Sequence, residues 1–86
     1  MKIVFAEGAW EDYLYWQSTN EKILRRIHEL IRDVSRSPYQ GIGKPEPLRY
    51  AQTGFWSRRI TEEHRMVYRV EGDRLLLAQL RYHYTK

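Results

Sequence analysis

One glutamate in an unusual setting, three histidines and a surplus of arginines are the side chains of this sequence that could do chemistry. Glu46 stands between Pro45 and Pro47, so local sterics hold its backbone extended and fix its direction. It is the only acid between Asp33 and Glu62. His83 lies near the C-terminal end, two residues after Arg81 and on the same face if the segment is extended. Cleavage of an RNA phosphodiester needs a base for the 2'-hydroxyl proton, a cation for the charge growing on phosphorus and an acid for the leaving 5'-oxygen. Glu46, the arginines and His83 supply one of each. Each also has a plainer reading: a surface ion pair of Glu46 with Lys44 or Arg49, and a frayed terminal position for His83. His64 reads as a polar turn residue and His28 as a solvent-facing helical one. Histidines at 28, 64 and 83 have no metal-ligand spacing, so neither a metal nor another cofactor is expected.

These residues have to be positioned by a sheet. In Gly54 to Val70, two runs rich in β-branched and aromatic residues flank Thr61-Glu62-Glu63-His64, the pattern of a β-hairpin. Alternation puts Phe55, Ser57 and Arg59 on one face and Trp56, Arg58 and Ile60 on the other. Arginine appears on both. A hairpin that only covered a core would keep one face free of guanidinium, because burying an unpaired charge is costly, so an anionic partner is expected. The charge distribution agrees: residues 1–43 hold six basic and six acidic side chains, whereas residues 44–86 hold nine and five, which places the whole net charge of +4 in the second half. Eleven of the fifteen basic residues are arginine, whose planar fork suits phosphate. Nucleic acid is the simplest polyanion to fit, with Lys44, Arg49, Arg58, Arg59 and Arg81 as candidate phosphate contacts.

The rest of the chain supplies the support. Ile3 to Ala6 reads as a first strand and is far too short for a membrane span or signal core. Trp10, Tyr13, Leu14 and Gln17 have the spacing of one helix face over Glu7 to Gln17, and Ser18 with Glu21 fits a capping box for a second helix. That helix, Glu21 to Val34, carries the stripe Ile23, Leu24, Ile27, Leu30, Ile31 and Val34. An irregular linker with Gly41, Gly43, Pro45 and Pro47 follows; its two glycines are weak evidence for a phosphate loop, since no helix opens after them. A short strand near Leu48 to Ala51, the hairpin and a last strand from Arg74 to about Tyr84 complete the order β-α-α-β-β-β. The fold class predicted is α+β: one domain over residues 1–86, two helices packed on a largely antiparallel sheet. With no cysteine, disulfides are excluded and a reducing cytoplasm is the natural compartment.

The motifs Gly43-Lys44-Pro45-Glu46-Pro47-Leu48, Gly54-Phe55-Trp56-Ser57-Arg58-Arg59-Ile60-Thr61-Glu62-Glu63-His64-Arg65 and Arg81-Tyr82-His83-Tyr84, with Trp10-Glu11-Asp12-Tyr13 near the start, closely resemble the Txe/YoeB family of toxin endoribonucleases, relatives of RelE. The resemblance implies a compact RelE-like domain that cleaves messenger RNA in the ribosomal A site and is neutralised by a YefM-type antitoxin; a homodimer is left open. It further implies Glu46 as general base, Arg65 as the phosphate-stabilising cation and His83 as general acid, assisted by Arg49, Arg59 and Tyr84. Arg49 departs from the usual lysine there, which keeps the charge and changes the hydrogen-bond geometry. The residues alone also accept a non-catalytic RNA- or ribosome-binding module, in which Trp56, Tyr68, Tyr82 or Tyr84 stack on bases. Trp56 and Tyr82, opposite Arg59 and His83, are expected in the core instead.

Overall fold

A computed structural model describes residues 1–49 and 54–83, and within them the chain runs β1 (Lys2–Phe5), α1 (Glu7–Thr19), α2 (Glu21–Arg36), β2 (Glu46–Pro47), β3 (Trp56–Arg59), β4 (Arg65–Glu71) and β5 (Arg74–Gln79). The strands form one sheet in the order β1-β5-β4-β3-β2. β1 runs parallel to β5 and the other pairs are antiparallel, the largely antiparallel α+β sheet expected, but four strands follow the helices where the order β-α-α-β-β-β has three.

The stripe on α2 behaves as its spacing dictates: Ile27, Leu30 and Val34 are fully buried, and Ile23, Leu24 and Ile31 pack at the edge of the core. They meet Ala9 and Trp16 of α1 and the sheet residues Met66, Tyr68, Leu75 and Leu77 in one cluster. The helix starts differently from the expected capping box. α1 continues through Thr19, so Ser18 is helical and its hydroxyl turns back to the Tyr15 carbonyl; Asn20 becomes the cap, its side chain accepting from the Ile23 N–H at 3.1 Å. The buried face of α1 is also rotated from the expected one. Trp16 is drawn inward by donating its indole N–H to the Leu80 carbonyl at 2.8 Å, while Trp10 and Leu14 stay exposed and Trp10 stacks on the half-buried Tyr13.

Two strands differ from the sequence pattern in ways that matter for the site. β2 begins at Glu46 itself, and Leu48 keeps contact through its N–H to the Phe55 carbonyl at 2.9 Å; Ala51, at the end of the expected strand, lies outside the described residues. β5 stops at Gln79 rather than near Tyr84, because α1 takes over the ladder: the Leu80 N–H donates to Asp12 Oδ2 at 3.0 Å while its carbonyl accepts from Trp16. Beyond that point strand alternation no longer applies. Tyr82, expected in the core, adopts a φ of 66° and is 59% exposed.

Candidate active site

Sheet register sorts the polar residues. Glu46 pairs with Ser57, Ser57 with Val67, and Arg59 with Arg65, which puts Glu46, Ser57, Arg59 and Arg65 on the face opposite the one that packs on the helices. On that face Arg65 donates from Nη1 to Ser57 Oγ at 2.8 Å, and its Nη2 lies 3.4 Å from Glu46 Oε1. The small Ser57 lets the guanidinium lie down across the strands, so the Arg65 side chain is only 17% exposed while the Glu46 side chain is 60% exposed. The result is a cation held from beneath with a carboxylate at its solvent edge.

Glu46 and Arg65 are thus brought together, whereas His83 is linked to them through the main chain alone. The Arg65 N–H donates to the carbonyl of Tyr82 at 3.1 Å, so the turn that carries His83 is bonded directly to the residue that holds the guanidinium. His83 is exposed beside an open depression lined by Gly8, Asp12, Gln79, Arg81 and Tyr82. Lys44, Arg49 and Arg59 are exposed cations, and the Arg59 N–H fixes the linker ahead of Lys44 by donating to the Gly43 carbonyl at 2.7 Å. Tyr84 lies outside the described residues.

Arg58 does not belong with these cations. Its side chain is 0% exposed, and its donors are consumed within the protein. Nε–H donates to the Tyr68 hydroxyl (3.2 Å), Nη1 to Asp33 Oδ2 (2.6 Å) and the Ile42 carbonyl (3.2 Å), and Nη2 to the carbonyls of Ser37 (2.7 Å) and Gln40 (2.8 Å). A guanidinium has five N–H donors, so five bonds leave none for a phosphate. The sequence expectation of an anion on this face is met by Asp33 of α2 instead of RNA. That carboxylate is held below its ordinary range, chiefly by the hydrogen bond from Arg58 and then by the Ile42 N–H. Burial pushes the Tyr68 phenol up, so it keeps its proton and donates to the Pro38 carbonyl at 2.7 Å. Tyr68 is fully buried and cannot serve as a stacking platform, whereas Trp56 is half-buried against Tyr39.

The glycines of the linker now have a role other than cradling phosphate. Gly41 has φ 124°, and a Cβ there would collide with the Asp33 carboxylate; a Cβ at Gly43, φ 81°, would crowd Leu30 and the Arg59 carbonyl. They let the linker close around Arg58. Arg81 is also engaged elsewhere: with the strand ended at Gln79, its guanidinium lies 3.6 Å from the centre of the Tyr15 ring, also facing Trp16 and Tyr82. Sequence reasoning missed Ser57, Asp33, Gln79 and the importance of His64. Of these only Ser57 had a signal, as the small polar residue between Phe55 and Arg59 on one face of its strand.

The family model for the YoeB-like toxin of bacterial type II toxin-antitoxin system matches residues 5–84. Toxin YoeB of Escherichia coli (strain K12) is 58% identical over 84 residues, covering 98% of this chain and all of the relative. The solved YoeB/ParE toxin from Agrobacterium tumefaciens superposes with a TM-score of 0.94 at 50% identity, covering 98% of this chain and 100% of its own. The toxin-antitoxin structure described as the YoeB-YefM complex from Staphylococcus aureus gives a TM-score of 0.91 at 44% identity, with 98% of each chain covered. A family match of this extent, on a sheet that carries the paired carboxylate and arginine, defines a toxin of a bacterial toxin-antitoxin system. The chain belongs to the YoeB-like toxin family. Among the described residues no helix is long and apolar enough to cross a membrane.

Proposed function

We propose that this toxin is a metal-independent endoribonuclease that cleaves messenger RNA in the A site of the ribosome and is held inactive by a YefM-type antitoxin. Residues 1–86 act as one catalytic domain in the cytoplasm, where its substrate is translated. Glu46 removes the 2'-hydroxyl proton, the 2'-oxygen attacks the adjacent phosphorus, and the 5'-oxygen leaves with a proton from His83, giving a 2',3'-cyclic phosphate. Arg65 stabilises the negative charge that builds on the phosphoryl oxygens. Lys44, Arg49 and Arg59 are exposed cations suited to the flanking phosphates.

The observation that supports this reading is the ion pair of Glu46 with Arg65 at 3.4 Å, on the helix-free face and next to the turn that carries His83. The carboxylate of this pair is 60% exposed to solvent, which keeps its contribution to folding small, about 1 kcal/mol or less. Glu46→Ala, Arg65→Ala and His83→Gln should melt near the wild type and lose about 10²–10⁴ in the rate of message cleavage on programmed ribosomes. Cleavage by these variants at the wild-type rate overturns the assignment of roles. Tight ribosome binding by the wild type without any cleavage would establish a binding module instead.

A further inference from the structure

We propose that His64 is a positioning residue for His83, acting through the main chain of Tyr82; the proposal rests on the reading of His83 as the proton donor. Tyr82 occupies the left-handed region at φ 66°, which costs a residue with a Cβ on the order of 1 kcal/mol or more. Such a conformation persists only where its surroundings determine it. Here they do so from three sides.

The Tyr82 N–H donates to Nδ1 of His64 at 2.7 Å, and the Tyr82 carbonyl accepts from the Arg65 N–H at 3.1 Å. The side-chain amide of Gln79 lies 2.7, 3.1 and 3.4 Å from the carbonyl oxygens of Arg81, Tyr82 and His83. Residues 64 and 65 therefore grip both ends of one residue. Arg65 also carries the guanidinium that meets Ser57 and Glu46, so the cation and the residue before His83 are both tied to one short segment.

His64 is built for this task. Its side chain is 12% exposed, its ring packs edge-on against Trp16 at 4.8 Å, and its carbonyl is tied into the hairpin turn by the N–H groups of Ile60 and Thr61. Accepting at Nδ1 requires a neutral ring with its proton on Nε2, the atom that faces Glu63 Oε1 at 3.7 Å. Loss of the acceptor leaves the Tyr82 N–H unanswered and frees the strained turn to relax, which moves His83.

The test separates ring from acceptor. His64→Phe keeps a ring against Trp16 and removes the acceptor; His64→Asn loses the ring and restores an oxygen close to the Nδ1 position. Single-turnover message cleavage at saturating ribosomes should fall about 10²-fold in His64→Phe, the scale of a misplacement near 1 Å, with ribosome affinity within about twofold of wild type, the split expected of positioning rather than binding. His64→Asn should recover most of the loss. In parallel, hydrogen exchange of the Tyr82 amide should accelerate in His64→Phe and stay slow in His64→Asn. Wild-type cleavage by His64→Phe, no recovery in His64→Asn, or an equally protected Tyr82 amide in both variants overturns the proposal. If His83→Gln cleaves like wild type while the Tyr82 amide behaves as expected, the role assigned to His83 fails instead and the clamp stands.

Discussion

Replacing Arg58 by methionine should remove a large share of this protein's stability, although the same change at Arg65 should not. Methionine keeps most of the length of the side chain and removes every donor. Left behind are the Asp33 carboxylate, the Tyr68 hydroxyl and the carbonyls of Ser37, Gln40 and Ile42, all of which had Arg58 as partner. Removing one member of a buried ion pair costs about 3–5 kcal/mol. The lower part of that range applies, because the Asp33 side chain is 15% exposed and keeps the Ile42 N–H. A chain of this length has a total stability of roughly 4–13 kcal/mol, so even about 3 kcal/mol is a large share, equivalent to a fall in Tm of about 12 °C or more. Arg65→Met should cost no more than about 1 kcal/mol, since its partner Glu46 is largely exposed. Urea unfolding followed by circular dichroism measures both. In Arg58→Met/Asp33→Asn the loss should be smaller than the sum of the single losses, because most of each is the penalty for an orphaned partner. A stable Arg58→Met that loses only ribosome affinity would refute this reasoning and return Arg58 to the RNA-facing set.

Two further outcomes follow from charge. Because the Asp33 carboxyl is lowered from the ordinary 3.8 in the folded protein, the unfolded chain takes up its proton first as pH falls; stability from this group is complete above about pH 4–5 and is lost on descending through the folded value. Asp33→Asn should therefore be less stable near neutrality and flatter in its acid unfolding, and a wild type whose stability is unchanged between pH 5 and pH 3 would contradict the pair. The exposed cations Lys44, Arg49 and Arg59 should make ribosome affinity fall steeply with salt, and a flat salt dependence would indicate an apolar interface.

How much of this was legible in the sequence depended on the range of the determining contact. The α2 stripe is a periodicity, complete within the segment, and the structure follows it. The hairpin was equally local, since its alternation and its polar turn needed no distant partner. Arg58 and Arg59, however, are adjacent and chemically alike, and each candidate face held apolar residues beside its arginine. The choice between them was made by Asp33, twenty-five residues earlier, which in sequence looks like any charged residue on the wet side of a helix. The end of β5 was hidden for a similar reason. Arg74 to Tyr84 alternates well enough to be a strand throughout, but Asp12 and Trp16 capture both backbone groups of Leu80 and end the ladder. Misplacing that end by a few residues reversed the expected environment of Tyr82 and gave Arg81 a phosphate where the fold gives it Tyr15.

The buried arginine and the proposed base are connected by this same linker. Arg58 holds the carbonyls of Ser37, Gln40 and Ile42, the Arg59 N–H holds that of Gly43, and Glu46 enters the sheet three residues later opposite Ser57. Ordering each residue of a free linker costs about 1–2 kcal/mol of backbone entropy, a sum that two residues of a strand cannot supply on their own. The Arg58 bonds supply it upstream, and Pro45 and Pro47 narrow what remains to be ordered. One arginine of the pair at 58 and 59 is therefore withdrawn from solvent to order the linker that leads to Glu46, while the other stays exposed on the face that Glu46 shares with Arg65.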